Sequence, residues 1–433
     1  MLLLLFVSMM VFIILGMNVG ISMGLASLTY ILFQASTGNM TPLTIIPQKM
    51  VNGVNSFPLL AVPLFMLAGE LMNRGGTTER LVRFATGLVG HITGGLANVV
   101  VVVNMIMAGM SGSAVADAAA TGSVLIPAMK KAGYPAAFAA AIVGAAAAIG
   151  PIIPPSIPMV LIGSMVEISV GRMFAGGFIP GIMIGLGLMI WTRVVAKREG
   201  FPLEPRMACG ELLQSTRESV LALLMPLAIV GAIVSGATTP TEAAMVGVLY
   251  ALVLGLFIYR ELHIRDLPEI FVGTAVSSGG VMLAVAGATL FGWIATGENL
   301  GPLVANFLLT VSGHNVAIIK ALMLMIVFIL GLLMEPIPAL VLMVPILLPV
   351  AKSIGMDPVQ FGVLFTATIT VAMGMPPVGL TLMLMTSISR ERMTEVGKAI
   401  LPMVVVSLIV LVICTYVPET VLWLPNLLMG AEK

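Results

Sequence analysis

Two stretches of this chain interrupt apolar helices with Gly, Ser and Pro, and they do so in the same register. The first, Gly109 to Ser156, reads GMSGSAVADAAATGSVLIPAMKKAGYPAAFAAAIVGAAAAIGPIIPPS. The second, Gly331 to Val378, reads GLLMEPIPALVLMVPILLPVAKSIGMDPVQFGVLFTATITVAMGMPPV. At a constant offset of 222 residues (331 minus 109), Gly109 meets Gly331, Leu125 meets Leu347 and Pro127 meets Pro349. Lys130 meets Lys352, Gly133 meets Gly355, and Pro154-Pro155 meets Pro376-Pro377, all without a gap. Paired interruptions at corresponding places of two apolar halves point to the binding site of a transporter.

Those interruptions matter because of the solvent they sit in. Of 433 residues 59% are hydrophobic and 9% charged, against about a quarter charged in an average soluble domain. Long apolar runs recur from end to end, which predicts an all-α polytopic membrane protein. A net charge of +1 gives nucleic acid no electrostatic footprint. Cys209 and Cys414 form neither a metal-ligand spacing nor a disulfide framework. The 34 methionines are read as adaptable packing. Leu2 to Phe33 is apolar and uncharged, too long for a signal-peptide core, so it is expected to be the first span.

The apolar runs predict spans at 2–33 and about 57–73, with a Pro/Asn-rich connection over 39–56 between them. A re-entrant hairpin over 94–129 turns at Ser111-Gly112-Ser113, followed by a broken span at 134–149 and 155–167. Full spans follow at about 172–192, 218–236, 241–259 and 270–296, with a short interfacial piece at 299–311. A second hairpin over 316–351 turns at Met334–Pro338. A second broken span takes 358–388, and a last span 398–417. This divides the chain into scaffold (1–93), hairpin 1 with its broken helix (94–167) and connecting scaffold (168–315). Hairpin 2 with its broken helix (316–388) and a C-terminal scaffold span (389–433) complete it.

With the N-terminus in the cytoplasm, this threading sends only Lys49, Arg172, Lys320, Lys352 and Lys433 outward. The other fifteen of the twenty Lys and Arg face inward, as the positive-inside rule requires. The C-terminus is then external. Five spans, an odd number, separate the hairpins, so the second repeat is inverted relative to the first.

A hairpin tip and a helix break leave backbone N–H and C=O groups without intrahelical partners. In hydrocarbon each would cost several kcal/mol, so such backbone must be buried in protein or line a polar cavity. Free carbonyls at helix C-termini suit a small hard cation, and helix N-termini suit an anion. Two cation clamps are therefore expected. One sets Ser111, Gly112 and Ser113 against Gly150, Pro154 and Ser156; the other sets Met334 and Glu335 against Gly374 and Pro376. An anionic substrate belongs between them, near Ser113, Asp117, Pro155, Pro336, Pro377 and Gly379.

Each residue also has a plainer role. Gly and Ala in membrane helices serve close packing, and Pro serves kinks. Asp117 can cap the second arm of its hairpin, and Glu335 can be a first-turn acid ahead of Pro336. Glu70 and Glu242 sit near span ends, and Thr366, Thr368 and Thr370 can bond back to their own helix. Gly109-Met110-Ser111-Gly112 also fits the nucleophile pattern of rhomboid-type intramembrane proteases. Such a serine needs a base within reach, and His91, His263 and His314 all fall in loops or at span edges. An open channel accounts less well for two inverted, broken repeats than alternating access does.

SGSAVADAAATGSVLIPAMKKAGY followed by GPIIPPSIP resembles the large membrane subunit of tripartite ATP-independent periplasmic (TRAP) transporters. So do PLFMLAGELMNRGG at 63–76, TPTEAA at 239–244 and the run MEPIP…GMPPVG. The resemblance covers nearly the whole chain. It implies a sodium-driven importer of organic acids such as C4-dicarboxylates, sialic acids and related keto and sugar acids. It implies an elevator mechanism on a fold like that of the ion transporter superfamily, with Na+ in the clamps and no organic cofactor. Its partners would be a small four-span membrane subunit, expected as a separate polypeptide, and an extracytoplasmic (periplasmic) substrate-binding protein. The chain would sit in the bacterial inner membrane, in contact with lipid. Val378 stands where the first half has Ser156, so the two clamps need not be equivalent. A carboxylate symporter of the same two-hairpin architecture that works without a binding protein is the alternative.

Overall fold

Alanine, leucine, valine and methionine dominate the segments between the Gly and Pro breaks, and these segments coil. The computed structural model of the chain describes residues 2–38, 41–202, 204–376 and 379–430. Among the described residues every regular element is helical. The order begins α1 (Leu2–Ile14), α2 (Val19–Ser36), α3 (Ile45–Val54), α4 (Ala61–Arg74) and α5 (Thr77–Val89). Hairpin arms α6 (Gly95–Ser111) and α7 (Ala114–Lys131) precede α8 (Ala136–Ala147) and α9 (Ile157–Val166). Then come α10 (Val170–Glu199), α11 (Cys209–Val234), α12 (Pro240–Val253), α13 (Leu267–Gly297) and α14 (Leu300–Val311). The second set is α15 (Val316–Leu333), α16 (Pro336–Ser353), α17 (Pro358–Ala372) and α18 (Leu380–Ser389). The chain closes with α19 (Met393–Tyr416) and α20 (Glu419–Met429). Eight helices are long and apolar enough to cross a membrane, and α3 with the α4 segment adds a pair bent by 63°. The protein is a polytopic helical membrane protein.

The first apolar run is not one span. Gly16 takes φ +82°, the N–H of Met17 reaches Phe12 O at 3.2 Å, and Asn18 caps α2 by accepting from Gly20 N at 2.9 Å. A glycine in the left-handed region followed by an Asn cap ends one helix and starts another, a signal that hydropathy alone hides. The connection at 39–56 contains α3, which packs on α13. Neither α5 nor α20 stands out as an apolar run. Helix α5 buries only Leu81, Ala85 and the small residues around them. Helix α20 packs on α10, where the buried Arg172 donates to Gly430 O at 2.6 Å and Asn426 Oδ1 at 2.8 Å.

At 12 and 15 residues, α8 and α17 are too short to cross about 30 Å of hydrocarbon. They have no need to, because α8 from Phe138 onward and α17 from Val359 onward are buried along their whole length. The second arm of each hairpin packs on the broken helix of the other half: α7 on α18, and α16 on α9. Lys130 reinforces one of these joints, its Nζ donating to Ser389 O at 3.2 Å. Helix α13 touches α2, α3, α4 and α16. Its crossing with α2 is close: a Cβ on Gly20 would lie 2.7 Å from Ala284 Cα.

Candidate functional site

The first tip is made by a glycine and a cap. Helix α6 ends on Ser111, Gly112 follows at φ +60°, and extended Ser113 begins α7 by accepting from Ala116 N at 3.4 Å. The Ser111 hydroxyl donates to Asp117 Oδ1 at 2.5 Å and lies 3.2 Å from the Ser113 N–H that points to it. Asp117 is fully buried, and its Oδ2 has no hydrogen-bond partner. Behind it Thr121 donates to Asp117 O at 2.6 Å, and Asn104 Nδ2 reaches Thr121 Oγ1 at 3.4 Å.

The break between α8 and α9 closes on itself through Ser156. Its hydroxyl donates to Pro151 O at 2.5 Å and accepts from Met159 N at 3.3 Å, which caps α9. Tip and break touch. A Cβ on Gly112 would sit 2.7 Å from Pro155 O and 3.2 Å from Ile157 N. One on Gly150 would run into the Asp117 carboxylate and lie 3.1 Å from Ala147 O. Glycine is required at both positions by close approach, and at Gly112 by φ as well.

The second half is built differently. Met334 and Glu335 are both extended, with α16 starting at Pro336. The break after α17 is closed by Thr381 Oγ1, which donates to Met373 O at 2.8 Å. Gly331 lets α15 cross α17 closely, since a Cβ there would be 2.8 Å from Ile369 O. Tip and break residues Met334, Glu335, Met373 and Gly379 line one cavity of about 560 Å³. Gly374 is buried toward Ile400, and Pro376 packs against α19, 2.9 Å from where a Cβ on Gly397 would be. Pro377 and Val378 lie outside the described residues.

A second cavity of about 650 Å³ joins the two tips. Ser111, Gly112, Ser113 and Pro151 line it from the first half, Glu335 and Pro336 from the second. The N-termini of α7 and α16 both open onto it. The adjoining 560 Å³ cavity shares Ser277, Val281, Glu335, Ile337 and Met373 with it. Asp117, Gly150, Pro154, Pro155 and Ser156 do not border this cavity; they lie buried beside it. The sequence marked α4 only as part of the run 63–76 and Glu70 as a span-end acid, and did not place Gly69, Glu70, Asn73 and Arg74 on this cavity's wall; Glu269, Thr274 and Ser277 of α13 it missed altogether. Small residues at 273, 277 and 280 of α13 fall on one helical face and carried that signal.

The acids away from the tips have structural partners. Glu242 completes a capping box, accepting from Thr239 N at 2.8 Å, and Glu70 holds Arg74 Nε at 3.0 Å. Thr370 bonds back to Thr366 O at 3.0 Å, whereas the buried hydroxyls of Thr366 and Thr368 have no partner. Ser111 gives its proton to a carboxylate, and no histidine is among its partners.

Many apolar helices, two helical hairpins and a cavity between their tips suit a membrane protein that moves a solute. The sequence then fixes the kind. Residues 6–420 match the family described as "Tripartite ATP-independent periplasmic transporter, DctM component", and the chain belongs to that family. It is similar to the sialic acid TRAP transporter large permease protein SiaM of Vibrio cholerae, with 38% identity over 415 residues, 96% of each chain. The C4-dicarboxylate TRAP transporter large permease protein DctM of Pseudomonas aeruginosa is 36% identical over 406 residues, 94% of each. The 2,3-diketo-L-gulonate TRAP transporter large permease protein YiaN of Escherichia coli is 35% identical over 384 residues, covering 89% of this chain and 90% of its own.

Proposed function

We propose that this chain is the large subunit of a sodium-coupled importer that carries an organic acid anion across the bacterial inner membrane by an elevator motion. The observation that carries the reading is the 650 Å³ cavity onto which both hairpin tips and the N-termini of α7 and α16 open. Helix N-termini favour an anion, and freed tip carbonyls favour a small cation. Sodium would be held by Ser111, Gly112 and Ser113 with Gly150, Pro154 and Ser156, and again by Met334 and Glu335 with Gly374 and Pro376. The acid would bind near Ser113 and Pro336, with Asp117, Pro155 and Gly379 as further candidates; Pro377, the remaining one, lies outside the described residues. Relatives named for sialic acid, C4-dicarboxylates and 2,3-diketo-L-gulonate support an organic acid.

The elements around α8 and α17 would move as one body past α2, α4, α12 and α13. The inverted repeat supplies the two end states, each hairpin opening toward one side. Arg74 and Glu269 line the cavity and are well exposed; with Arg74 inside, as the charge pattern has it, this reading opens the cavity toward the cytoplasm. Each net positive charge carried inward gains about 2.3 kcal/mol per 100 mV. Two would support roughly a thousandfold accumulation.

The partners are a four-span small subunit and an extracytoplasmic binding protein that delivers the acid. Uptake of N-acetylneuraminate and of succinate into vesicles carrying both membrane subunits tests this reading. Accumulation is expected only with external sodium and binding protein together. Full-rate uptake by the large subunit alone would point instead to a symporter that needs no binding protein.

A further inference from the structure

On the transport reading the cavity between the tips carries an anion, yet three of its four charged side chains are acidic. Glu70, Glu269 and Glu335 line it, and among its described lining residues Arg74 is the single cationic side chain. Arg74 belongs to a face of α4 (Met66, Gly69, Glu70 and Asn73) that repeats at helical spacing along the cavity. That face touches the first tip: a Cβ on Gly69 would lie 3.0 Å from Ser111 Cα and 3.3 Å from Met110 O. Arg74 follows Gly69 by five residues, about 7 Å along the helix axis. The guanidinium is therefore the first positive charge an acid meets on leaving Ser111–Ser113 for the mouth.

The guanidinium is already engaged, but loosely. Its Nε bonds Glu70 Oε1 at 3.0 Å and its Nη2 bonds Glu269 Oε1 at 2.8 Å. The Arg74 side chain is 42% exposed and that of Glu269 72%, so the pair is wet and contributes little to stability. A planar fork with five donors can take a second carboxylate in exchange for Glu269 without moving far.

We propose that Arg74 is the exit station for the substrate's carboxylate, and that Glu269 competes with the substrate for it. Resting on the transport reading above, this adds a specificity residue on the scaffold side of the site. Glu269 keeps the station weak, so that the acid is passed on rather than trapped. The carboxylates of Glu70, Glu269 and Glu335 then disfavour its return.

The two substitutions act in opposite directions. Vesicles reconstituted with both membrane subunits and binding protein are loaded with N-acetylneuraminate or succinate, and exchange is followed against the internal concentration. Arg74→Gln is expected to raise the internal half-saturation roughly tenfold, while Arg74→Lys, which keeps the charge and loses the fork, raises it less. Glu269→Gln is expected to lower internal half-saturation and slow release. External half-saturation stays fixed in all three. If Arg74→Gln and Glu269→Gln shift together, or lower the melting temperature and rate equally without a change on the internal side, the pair is a strut between α4 and α13 and the inference is overturned. A wild-type complex that moves neither acid removes the transport reading itself, and this inference with it.

Discussion

Ser111 Oγ and Asp117 Oδ1 lie 2.5 Å apart in the first half, and at the corresponding positions of the second half stand Leu333 and Ala339. The ladder behind them is unmatched too: Asn104 and Thr121 correspond to Ile326 and Met343. The two halves share a backbone plan and place their polar groups differently, since the second carries its buried hydroxyls on α17 as Thr366, Thr368 and Thr370. The two halves therefore do not offer the same polar groups at corresponding positions.

The Ser111–Asp117 pair should behave as a unit. Ser111→Ala leaves both carboxyl oxygens of a fully buried acid without a partner, at a cost of about 1–3 kcal/mol. Removing both groups, as in Ser111→Ala with Asp117→Ala, is expected to cost less than the sum of the single changes by about 1 kcal/mol. Melting of the purified subunit for the four proteins measures this, and strict additivity would contradict it. Ser113→Ala removes only a cap and one candidate sodium oxygen, so uptake should persist with its sodium dependence moved to higher concentration.

Glycines at the first clamp should tolerate nothing larger. Gly112→Ala sets a methyl 2.7 Å from Pro155 O at a φ of +60°, and Gly150→Val drives into Asp117 and Ala147. Both variants are expected to insert and to lose at least nine-tenths of sodium-dependent uptake. Gly231→Ala, where nothing lies within 4 Å of the new methyl, should match the wild type. Normal sodium dependence in Gly112→Ala and Gly150→Val would make the tip a packing feature.

Helix α20 depends on one buried cation. Arg172→Ala deletes the donors to Gly430 O and Asn426 Oδ1, and α20 should then come away from α10. Limited proteolysis in detergent is expected to trim the chain near Pro418 in the variant and to spare the wild type. Equal resistance of the two would show that Val421 and Pro425, which α20 buries, hold it unaided.

Charge placement predicts sidedness. Single cysteines at positions 198 and 392 on a Cys-free background should resist a membrane-impermeant thiol reagent from outside and react after permeabilisation. Strong outside labelling at either would reverse the threading and the inversion of the repeats. Helix α1 must be mapped separately, because it meets α2 at a turn and does not extend it.

Much of this could be read from residue order. Apolar runs fixed an all-helical membrane protein because unpaired backbone is intolerable in hydrocarbon. Local chemistry marked both tips and both breaks, where Gly112, Pro154-Pro155, Pro336 and Pro376 cluster with other helix breakers, whereas single prolines such as Pro127 and Pro180 sit inside helices. What escaped were elements that are neither long nor uniformly apolar: the Gly16 turn, α3, α5 and α20. Hydropathy averages over the few residues that decide each of them.

Tertiary structure alone decided what lies opposite what. The repeat register equates the two tip-and-break pairs, yet Gly112 touches Pro155 while Met334, Glu335, Met373 and Gly379 share the lining of a cavity. Nor does the register put Arg74 and Glu269, 195 residues apart, on the wall facing both tips. A sequence records where a helix must stop, because stopping is a property of neighbouring residues. Which distant side chains share the space left over follows from how helices of fixed length pack, and that is settled only when all of them are in place.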